Sequence, residues 1–349
     1  MASGRVDLTV RGGGAFGLAI AFEAARRGAR VRLIERTRLG AGSSGGTVGA
    51  LAPHVPENWN PKKQFQFESL RMAEEFWGAV RTAGGKDAGY ARLGRIQPLA
   101  DAAQIARAEE RAAGAAELWQ GFADWRIVPA AEFGPFAPAS PTGLVIYDTL
   151  TARAAPRAAG AALAAALTAL GGEIVIGDGP EEGAVLHATG AEGLADLSVA
   201  FGKAVGTGIK GQSALLRFDA GAVPQIYAES LHIVPHADGT VAIGSTSERE
   251  YTEPSSTDAQ LDALIEKARR ICPALEGAEV IDRWAGVRPR AKTRAPMLGV
   301  WPGRPGHFIA NGGFKIGFGM APKVAQVMVD LMLDGRDAIP EGFRVEDNL

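Results

Sequence analysis

The sequence predicts an α/β fold, α+β overall, in which a parallel-sheet domain is interleaved along the chain with a domain built on an antiparallel sheet. Three observations lead to this prediction. Residues 5–35 contain a strand, a glycine-rich turn, a helix and a second strand in succession. Residues 211–248 carry several short strand patterns joined by turn residues. Segments typical of α/β structure lie near both ends and in the middle of the chain, so we expect discontinuous domains.

Hydrophobic periodicity and the positions of glycine and proline predict the other elements. Helices are expected at 15–27, 62–83, 101–120, 151–170, 257–271 and 321–333. Strands are expected at 6–11, 31–34, 173–177, 184–191 (running into a turn), 214–218, 225–227, 231–235, 241–244, 280–287 and 307–311, with short strands within 126–147. A second glycine-rich turn, 312–319, precedes the last helix.

The most informative motif is the turn Gly12–Gly17, which lies between the first predicted strand and the first predicted helix. Gly12 permits the tight turn, Gly14 lets the backbone approach a pyrophosphate, and Gly17 allows helix and strand to pack closely. Glu35 follows Gly17 by 18 residues at the end of the second strand, where a carboxylate can bind ribose hydroxyls. This context predicts a Rossmann-like dinucleotide site. The alternative is a glycine-rich turn beside an ordinary surface glutamate.

A long connection rich in glycine and serine occupies residues 36–57. A loop of this length in a compact domain is usually functional. Its backbone N–H groups and hydroxyls suit a phosphate or the polar edge of a ring. A flexible linker is the alternative, but the run at 48–52 contains residues of the buried type, which a linker would not carry.

Composition argues against several classes of protein. The 349 residues are 46% hydrophobic with a formal net charge of −2, so the charge does not indicate nucleic acid or an anionic membrane as a partner. We find no stretch of about 18 strongly apolar residues and expect no membrane span. The first residues lack the apolar region of a secretory signal, and the single cysteine, Cys272, cannot form an internal disulfide. We therefore expect a cytoplasmic protein.

The five histidines lack the spacing of a metal site. His232 and His236 are four residues apart, but Pro235 lies between them in a predicted strand, so the two imidazoles do not share a helical face. We expect no metal.

Six segments follow one another in order along nearly the whole chain. They are the turn 12–17 with Glu35 and Arg36; 42–53; 188–191; 232–239 with 243–246; 284–289 (Trp-Ala-Gly-Val-Arg-Pro) with 295–299; and 311–317 (Asn-Gly-Gly-Phe-Lys-Ile-Gly) with 320–322. In this order they resemble the D-amino-acid oxidase/glycine oxidase superfamily of FAD enzymes. The order of all six carries the resemblance, since each segment alone is modest.

The resemblance implies FAD as the cofactor. No cysteine follows the region of Arg288, so the covalent flavin linkage of sarcosine oxidases is not expected and FAD should be non-covalent. The residues expected to bind FAD are Gly12, Gly14, Phe16, Gly17, Glu35, Arg36, Ser43, Ser44, Thr47, Gly49, Ala50, Leu51, Val175, Thr189, Gly190, Gly312, Gly313, Phe314, Lys315 and Ile316.

The resemblance also implies a reaction and three catalytic candidates: Arg288, Lys315 and His232. FAD would oxidise a small amino acid or secondary amine by hydride transfer from the α-carbon to flavin N5, giving an imine that hydrolyses. Arg288 stands where the family binds the substrate carboxylate with an arginine; a strand salt bridge is the alternative. His232, where the family often has an aromatic residue, is either a substrate ligand or a structural histidine. Lys315, often arginine in glycine oxidases, faces either the substrate or the oxygen-reactive face of the flavin.

Substrate and acceptor stay open at this point. Glycine, sarcosine, a D-amino acid and a 2-hydroxy acid are all candidates, and oxygen or another acceptor would reoxidise the flavin. The alternatives are a flavoprotein dehydrogenase subunit, an FAD-dependent 2-hydroxy-acid oxidoreductase and an NAD-dependent dehydrogenase, the last of which would not need the C-terminal glycine turn. A homo-oligomer is compatible with the sequence.

The order of the motifs suggests a division into two domains. We expect an FAD-binding domain at 1–57, 140–205 and 280–349, and a substrate domain at 58–139 and 206–279.

Overall fold

Two large β-sheets, a two-stranded sheet and seven α-helices form the part of the chain that this computed structural model describes, residues 6–349. The sequence analysis expects no secretory signal in the first residues. That expectation concerns mainly residues 1–5, which lie outside the described residues. No helix within residues 6–349 has the length and apolar character needed to cross a membrane.

The helices and strands are numbered in chain order. The helices are α1 (Ala15–Arg26), α2 (Pro61–Gly84), α3 (Ala102–Leu118), α4 (Pro156–Ala169), α5 (Gly190–Ala200), α6 (Ala259–Ile271) and α7 (Gly317–Asp334). The strands are β1 (Leu8–Arg11), β2 (Val31–Glu35), β3 (Ala50–Leu51), β4 (Arg95–Pro98), β5 (Trp125–Pro129), β6 (Leu144–Asp148), β7 (Ala152–Arg153), β8 (Glu173–Ile176), β9 (Ala184–His187), β10 (Gly206–Arg217), β11 (Gln225–Ala228), β12 (Leu231–Pro235), β13 (Thr240–Gly244), β14 (Glu279–Ala291), β15 (Met297–Val300) and β16 (His307–Asn311).

The first large sheet has six strands in the order β15-β16-β9-β1-β2-β8. All its pairs are parallel except β15 with β16. The carboxyl ends of β1, β2, β9 and β16 therefore meet at one edge of the sheet. In open α/β sheets, ligands bind outside this edge.

Helix α1 is alanine-rich, and every residue from Ala15 to Ala25 is buried. Small side chains allow this close packing, and α1 contacts both α4 and α7. Gly28 follows the helix with a positive φ of 89°, as the sequence predicts for a helix end. The parallel sheet with its buried helices confirms the α/β prediction.

The second large sheet has eight strands in the order β14-β10-β13-β12-β11-β4-β6-β5. It is antiparallel except where β11 pairs with β4. The longest ladder joins β10 and β14, from Gly206 opposite Ala291 to Arg217 opposite Glu279. Both strands are longer than the predicted 214–218 and 280–287. Glycines interrupt the apolar alternation at the start of β10, and Arg288-Pro289-Arg290 interrupts it near the end of β14.

The predicted helix at 151–170 is wrong at its start. Residues Ala152–Arg153 form strand β7, which pairs with β3, and the helix begins at Pro156. Proline fits the first turn of a helix but keeps the residue before it extended, so the helix cannot extend backwards through it. The last helix begins earlier than predicted, at Gly317, and strand β15 was not predicted.

The two large sheets alternate along the chain, as an interleaved organisation requires. Strands β6 and β14 belong to the eight-stranded sheet although they lie in ranges expected to bind the cofactor. The domain boundaries stay a prediction.

Candidate active site

The glycine turn after β1 is packed against the turn that follows β9. Gly12 has a φ of 109°, and a Cβ atom there would overlap the carbonyl oxygen of Ala188. A Cβ at Gly17 would overlap the carbonyl oxygen of Gly12. These positions therefore need glycine for backbone conformation and for close packing. Gly14 precedes α1 without a side-chain cap, which leaves the positive end of the helix directed at the sheet edge.

Glu35 lies at the end of β2 beside this turn. Its carboxylate accepts hydrogen bonds from the N–H of Gly13 at 2.7 Å and the N–H of Thr37 at 3.0 Å. Arg36 is exposed and forms an ion pair with Glu192. Glu35 is thus held at the rim of the turn, where a ribose would lie on a dinucleotide whose pyrophosphate meets α1.

The loop 39–51 closes over the start of α1. The hydroxyl of Ser44 accepts a hydrogen bond from the N–H of Ala15 at 2.9 Å. The hydroxyl of Thr47 donates to Ser213 on β10 at 2.8 Å. Gly49, with a φ of 64°, lies so close to Ala154 that a Cβ would overlap that residue's carbonyl oxygen. These contacts tie the loop to α1, to the eight-stranded sheet and to the segment after β7, so it is an ordered part of the site.

The C-terminal glycine turn reaches the same place from the other side. The N–H of Phe314 donates to the carbonyl oxygen of Pro289 on β14 at 2.9 Å. A Cβ at Gly313 would lie 2.9 Å from the ring of Phe16, so the two glycine turns contact each other. Gly312 has a φ of 77°, and Ile316 precedes α7 without a side-chain cap. A second helix N-terminus therefore opens on the site.

A cavity of about 270 Å³ lies between these two turns and the eight-stranded sheet. Most of its wall is apolar or hydroxylic, with three residues that carry or can carry a positive charge. Its lining is Ala15, Ser43, Ser44, Gly46, Thr47, Val48, Gly49, Ala50, Pro156, Ser213, Tyr227, Ser230, His232, Gly244, Ser245, Trp284, Arg288, Phe314, Lys315, Gly317 and Phe318.

Arg288 lies on β14 opposite Ile209 of β10, and its side chain is 7% exposed. The guanidinium occupies the space above Gly211, where a Cβ atom would overlap Nη2. Nη1 and Nη2 both donate to the carbonyl oxygen of Thr246 at 3.3 Å. Burial lowers the pKa of Arg288 to about 10, and the charge of Glu248 opposes this shift. The group stays cationic at neutral pH and forms no ion pair with a carboxylate within residues 6–349.

His232 and Lys315 line the same cavity. Nδ1 of His232 has no hydrogen-bond partner among residues 6–349. Burial, with the charges of Arg95 and Lys315, lowers the pKa of His232 to about 3, so its imidazole is neutral near pH 7. Loss of hydration and then the charge of Arg288 lower the pKa of Lys315. The structure thus brings the three catalytic candidates together at one cavity.

Three aromatic residues of the cavity, Tyr227, Trp284 and Phe318, were absent from the predicted site. Tyr227 lies directly opposite His232 in the β11–β12 pair, with ring centroids 4.6 Å apart. Trp284 occupies space that Gly46 and Gly286 leave open. Trp284 stands four residues before Arg288 within the segment 284–289, so its place at the site could have been inferred from the sequence. Tyr227 depends on strand register, which the sequence does not contain.

Not every predicted cofactor residue reaches the cavity. Those outside it are Gly12, Gly14, Phe16, Gly17, Glu35, Arg36, Leu51, Val175, Thr189, Gly190, Gly312, Gly313 and Ile316. Several of them lie along the carboxyl edge of the six-stranded sheet. Val175 pairs with Ile34 in the β2–β8 ladder, and Gly190 accepts a hydrogen bond from Nδ2 of Asn311 at 2.9 Å. The predicted set thus divides between a sheet edge that suits the adenosine half and a cavity that suits the flavin half.

The only cysteine lies away from this cavity. Cys272 is buried at the end of α6, and burial raises the pKa of its thiol to about 11. It is an apolar core residue and is not among the cavity residues. Non-covalent attachment of the flavin stays a prediction.

The fold and this site define a class of flavoprotein. The family described as FAD dependent oxidoreductase, the DAO family, matches residues 7–331, and the chain belongs to it. A glycine oxidase of Geobacillus kaustophilus is 26% identical over 365 aligned positions, which cover 94% of this chain and 93% of that protein.

Solved structures share the fold over almost the whole chain. Iminodiacetate oxidase from Chelativorans sp. BNC1 superposes with a TM-score of 0.86 at 19% identity, covering 97% of this chain and 98% of that one. L-proline dehydrogenase from P. horikoshii superposes with a TM-score of 0.78 at 20% identity, covering 98% and 96%. These structures show the fold, and the family match makes the protein an FAD-dependent oxidoreductase, as the sequence resemblance implied.

Proposed function

We propose that this protein oxidises a small amino acid or secondary amine at its α-carbon. The observation that carries the proposal is Arg288: a buried guanidinium that faces the cavity and has no carboxylate partner among residues 6–349. A buried charge without a counter-ion is costly, and a substrate carboxylate would compensate it through two charge-assisted hydrogen bonds. Gly211 leaves the space that this arginine needs.

The neighbouring residues suit an amine beside that carboxylate. The imidazole of His232 lines the cavity and is neutral near pH 7, so it adds no positive charge beside the substrate nitrogen. Tyr227, Trp284 and Phe314 supply aromatic walls that exclude water. Bound FAD supplies the acceptor of the hydride, at flavin N5. The substrate loses that hydride from carbon and a proton from nitrogen, and water then hydrolyses the resulting imine.

The test is anaerobic reduction of the purified holoenzyme by a panel of candidate substrates. Glycine, sarcosine, D-alanine and iminodiacetate represent amines, and glycolate and D-lactate are matched hydroxy acids. Loss of the oxidised-flavin absorbance with at least one amine is expected. Reduction by the hydroxy acids alone would replace the proposal with 2-hydroxy-acid oxidation, and no reduction of an FAD-loaded protein would contradict both.

The electron acceptor is decided by a second measurement on the same enzyme. Rapid reoxidation by air with formation of hydrogen peroxide would define an oxidase. Slow reoxidation by air, with fast reoxidation by an artificial acceptor, would define a dehydrogenase or a flavoprotein subunit.

A further inference from the structure

The charges around the cavity are all of one sign. Of the lining residues within 6–349, Arg288 and Lys315 carry a formal charge near neutral pH, and none is an aspartate or a glutamate. The inference drawn from this asymmetry rests on the proposed function, since it concerns the substrate of the same site.

The charge of Glu248 acts on Arg288 from a distance, but neither cation has a carboxylate in direct contact among residues 6–349. Lys315 forms no ion pair within residues 6–349, and neither does Arg288. Two other lysines of the chain whose side chains are mostly buried have acidic partners. Lys210 lies 3.5 Å from Glu248, and Lys323 lies 3.1 Å from Glu68. Lys315 therefore differs from these two lysines, which have a carboxylate in direct contact.

The two charges also act on each other. The positive charge of Arg288 adds to the loss of hydration in lowering the pKa of Lys315, and Lys315 in turn acts on His232. A single substrate carboxylate held by Arg288 would leave the ammonium of Lys315 without a counter-ion. A second anionic group would compensate it and remove the repulsion between the cations.

We propose that the substrate carries a second carboxylate and that Lys315 binds it. The substrate class is then an amino or imino dicarboxylate, with one carboxylate on the guanidinium of Arg288 and the other on the ammonium of Lys315. Lysine suits this second role because its flexible stem and three N–H donors accept an anion without demanding one geometry. Substrates with a positive side chain are rejected, because nothing in the cavity wall carries a negative charge.

Equilibrium binding of unreactive analogues tests this without turnover. Diglycolate carries two carboxylates around an ether oxygen, and methoxyacetate is the matched monocarboxylate; neither has an amine to oxidise. Dissociation constants come from the perturbation of flavin absorbance in the holoenzyme. Diglycolate is expected to bind at least about tenfold more tightly than methoxyacetate, since one additional charged contact is formed in a partly desolvated site.

Two variants assign the effect to one side chain. Lys315→Met is expected to remove the preference for diglycolate and to leave the dissociation constant of methoxyacetate within about threefold. Lys203→Met removes the same charge at an exposed position outside the cavity and should leave both constants unchanged.

Specific results would overturn the inference. Equal affinities for the two analogues in the unmodified enzyme, or an equal change for both in Lys315→Met, would exclude a second carboxylate site. If Lys315→Met slows only the reaction of the reduced flavin with oxygen, the lysine serves the oxygen-reactive face instead. These outcomes are independent of the proposed function, which fails only if no amine reduces the bound flavin.

Discussion

Two buried arginines of this chain have opposite electrostatic surroundings. Arg95 is 5% exposed and donates from Nε to Asp148 at 2.8 Å, while that carboxylate also accepts from the N–H and hydroxyl of Thr151. Arg288 is 7% exposed, and among residues 6–349 its acceptor is the carbonyl oxygen of Thr246. Both arginines are buried, but only Arg95 has a carboxylate in direct contact within the described part of the chain.

Under the proposed function, the difference separates a structural cation, Arg95, from a binding cation, Arg288. A buried ion pair with satisfied hydrogen bonds maintains the fold, and breaking it leaves an uncompensated charge. A buried cation that faces a cavity without a counter-ion costs stability until a ligand supplies one. Strain and missing partners of this kind are typical of functional sites.

The largest expected effect is on catalysis in Arg288→Leu. The value of kcat/KM for the best amine substrate should fall by about 10³-fold, equivalent to about 4 kcal/mol, because the substrate carboxylate loses its buried partner. Steady-state kinetics and flavin content measure this, and FAD should remain bound. A decrease of less than tenfold would remove Arg288 from the carboxylate role.

The matched variant, Arg95→Leu, should act on stability instead. Its free energy of unfolding should fall by about 3–5 kcal/mol, because Asp148 is left buried and unpaired. Urea unfolding of both arginine variants measures the contrast, with little loss expected for Arg288→Leu. The double variant Arg95→Leu/Asp148→Asn should recover most of the stability, since the unpaired charge is gone and Thr151 keeps an acceptor. A loss of equal size in both single variants would refute the distinction.

A smaller effect is expected from Gly211→Ala. The added Cβ would meet the flexible end of the Arg288 side chain, so the guanidinium moves while the backbone need not. The expected result is a decrease of about tenfold in kcat/KM, expressed mainly in KM, with the free energy of unfolding changed by less than about 1 kcal/mol. Gly78→Ala, which adds a methyl group in open space on α2, is the control. Unchanged kinetics in Gly211→Ala would mean that the position of the guanidinium is not critical.

The smallest effect concerns His232 and pH. Its pKa is lowered from 6.5 to about 3 in the folded protein, so between these values the unfolded chain binds a proton that the folded chain does not. Stability is therefore lost as the pH falls below 6.5. In His232→Asn, the decrease in unfolding free energy between pH 7 and pH 5 should be smaller by on the order of 1 kcal/mol. Equal pH dependence in both proteins would show that the imidazole is not desolvated as described.

The sequence was informative where local chemistry decides structure. The turn at 12–17 was predictable because Gly12 needs a positive φ and Gly17 needs close packing, and both requirements are met by residue type alone. The helix predicted at 151–170 failed because periodicity extends through Ala152–Arg153, and only the pairing of that segment with Ala50–Leu51 makes it a strand.

The candidate site, like the fold, could be predicted from the sequence only in part. Arg288 and Lys315 could be selected from their motifs, and the carboxyl edge of the parallel sheet follows from the order of strands and helices. The sequence by itself therefore determined the fold class, the glycine-rich turn 12–17 and the charged residues of the site. Only the tertiary structure decided that Gly211 lies under Arg288, that Tyr227 lies beside His232, and that no carboxylate of residues 6–349 pairs with Arg288 or Lys315. The physical reason is that strand register and the distances between charged groups depend on residues that are far apart in sequence. These residues come together only after the sheets have formed.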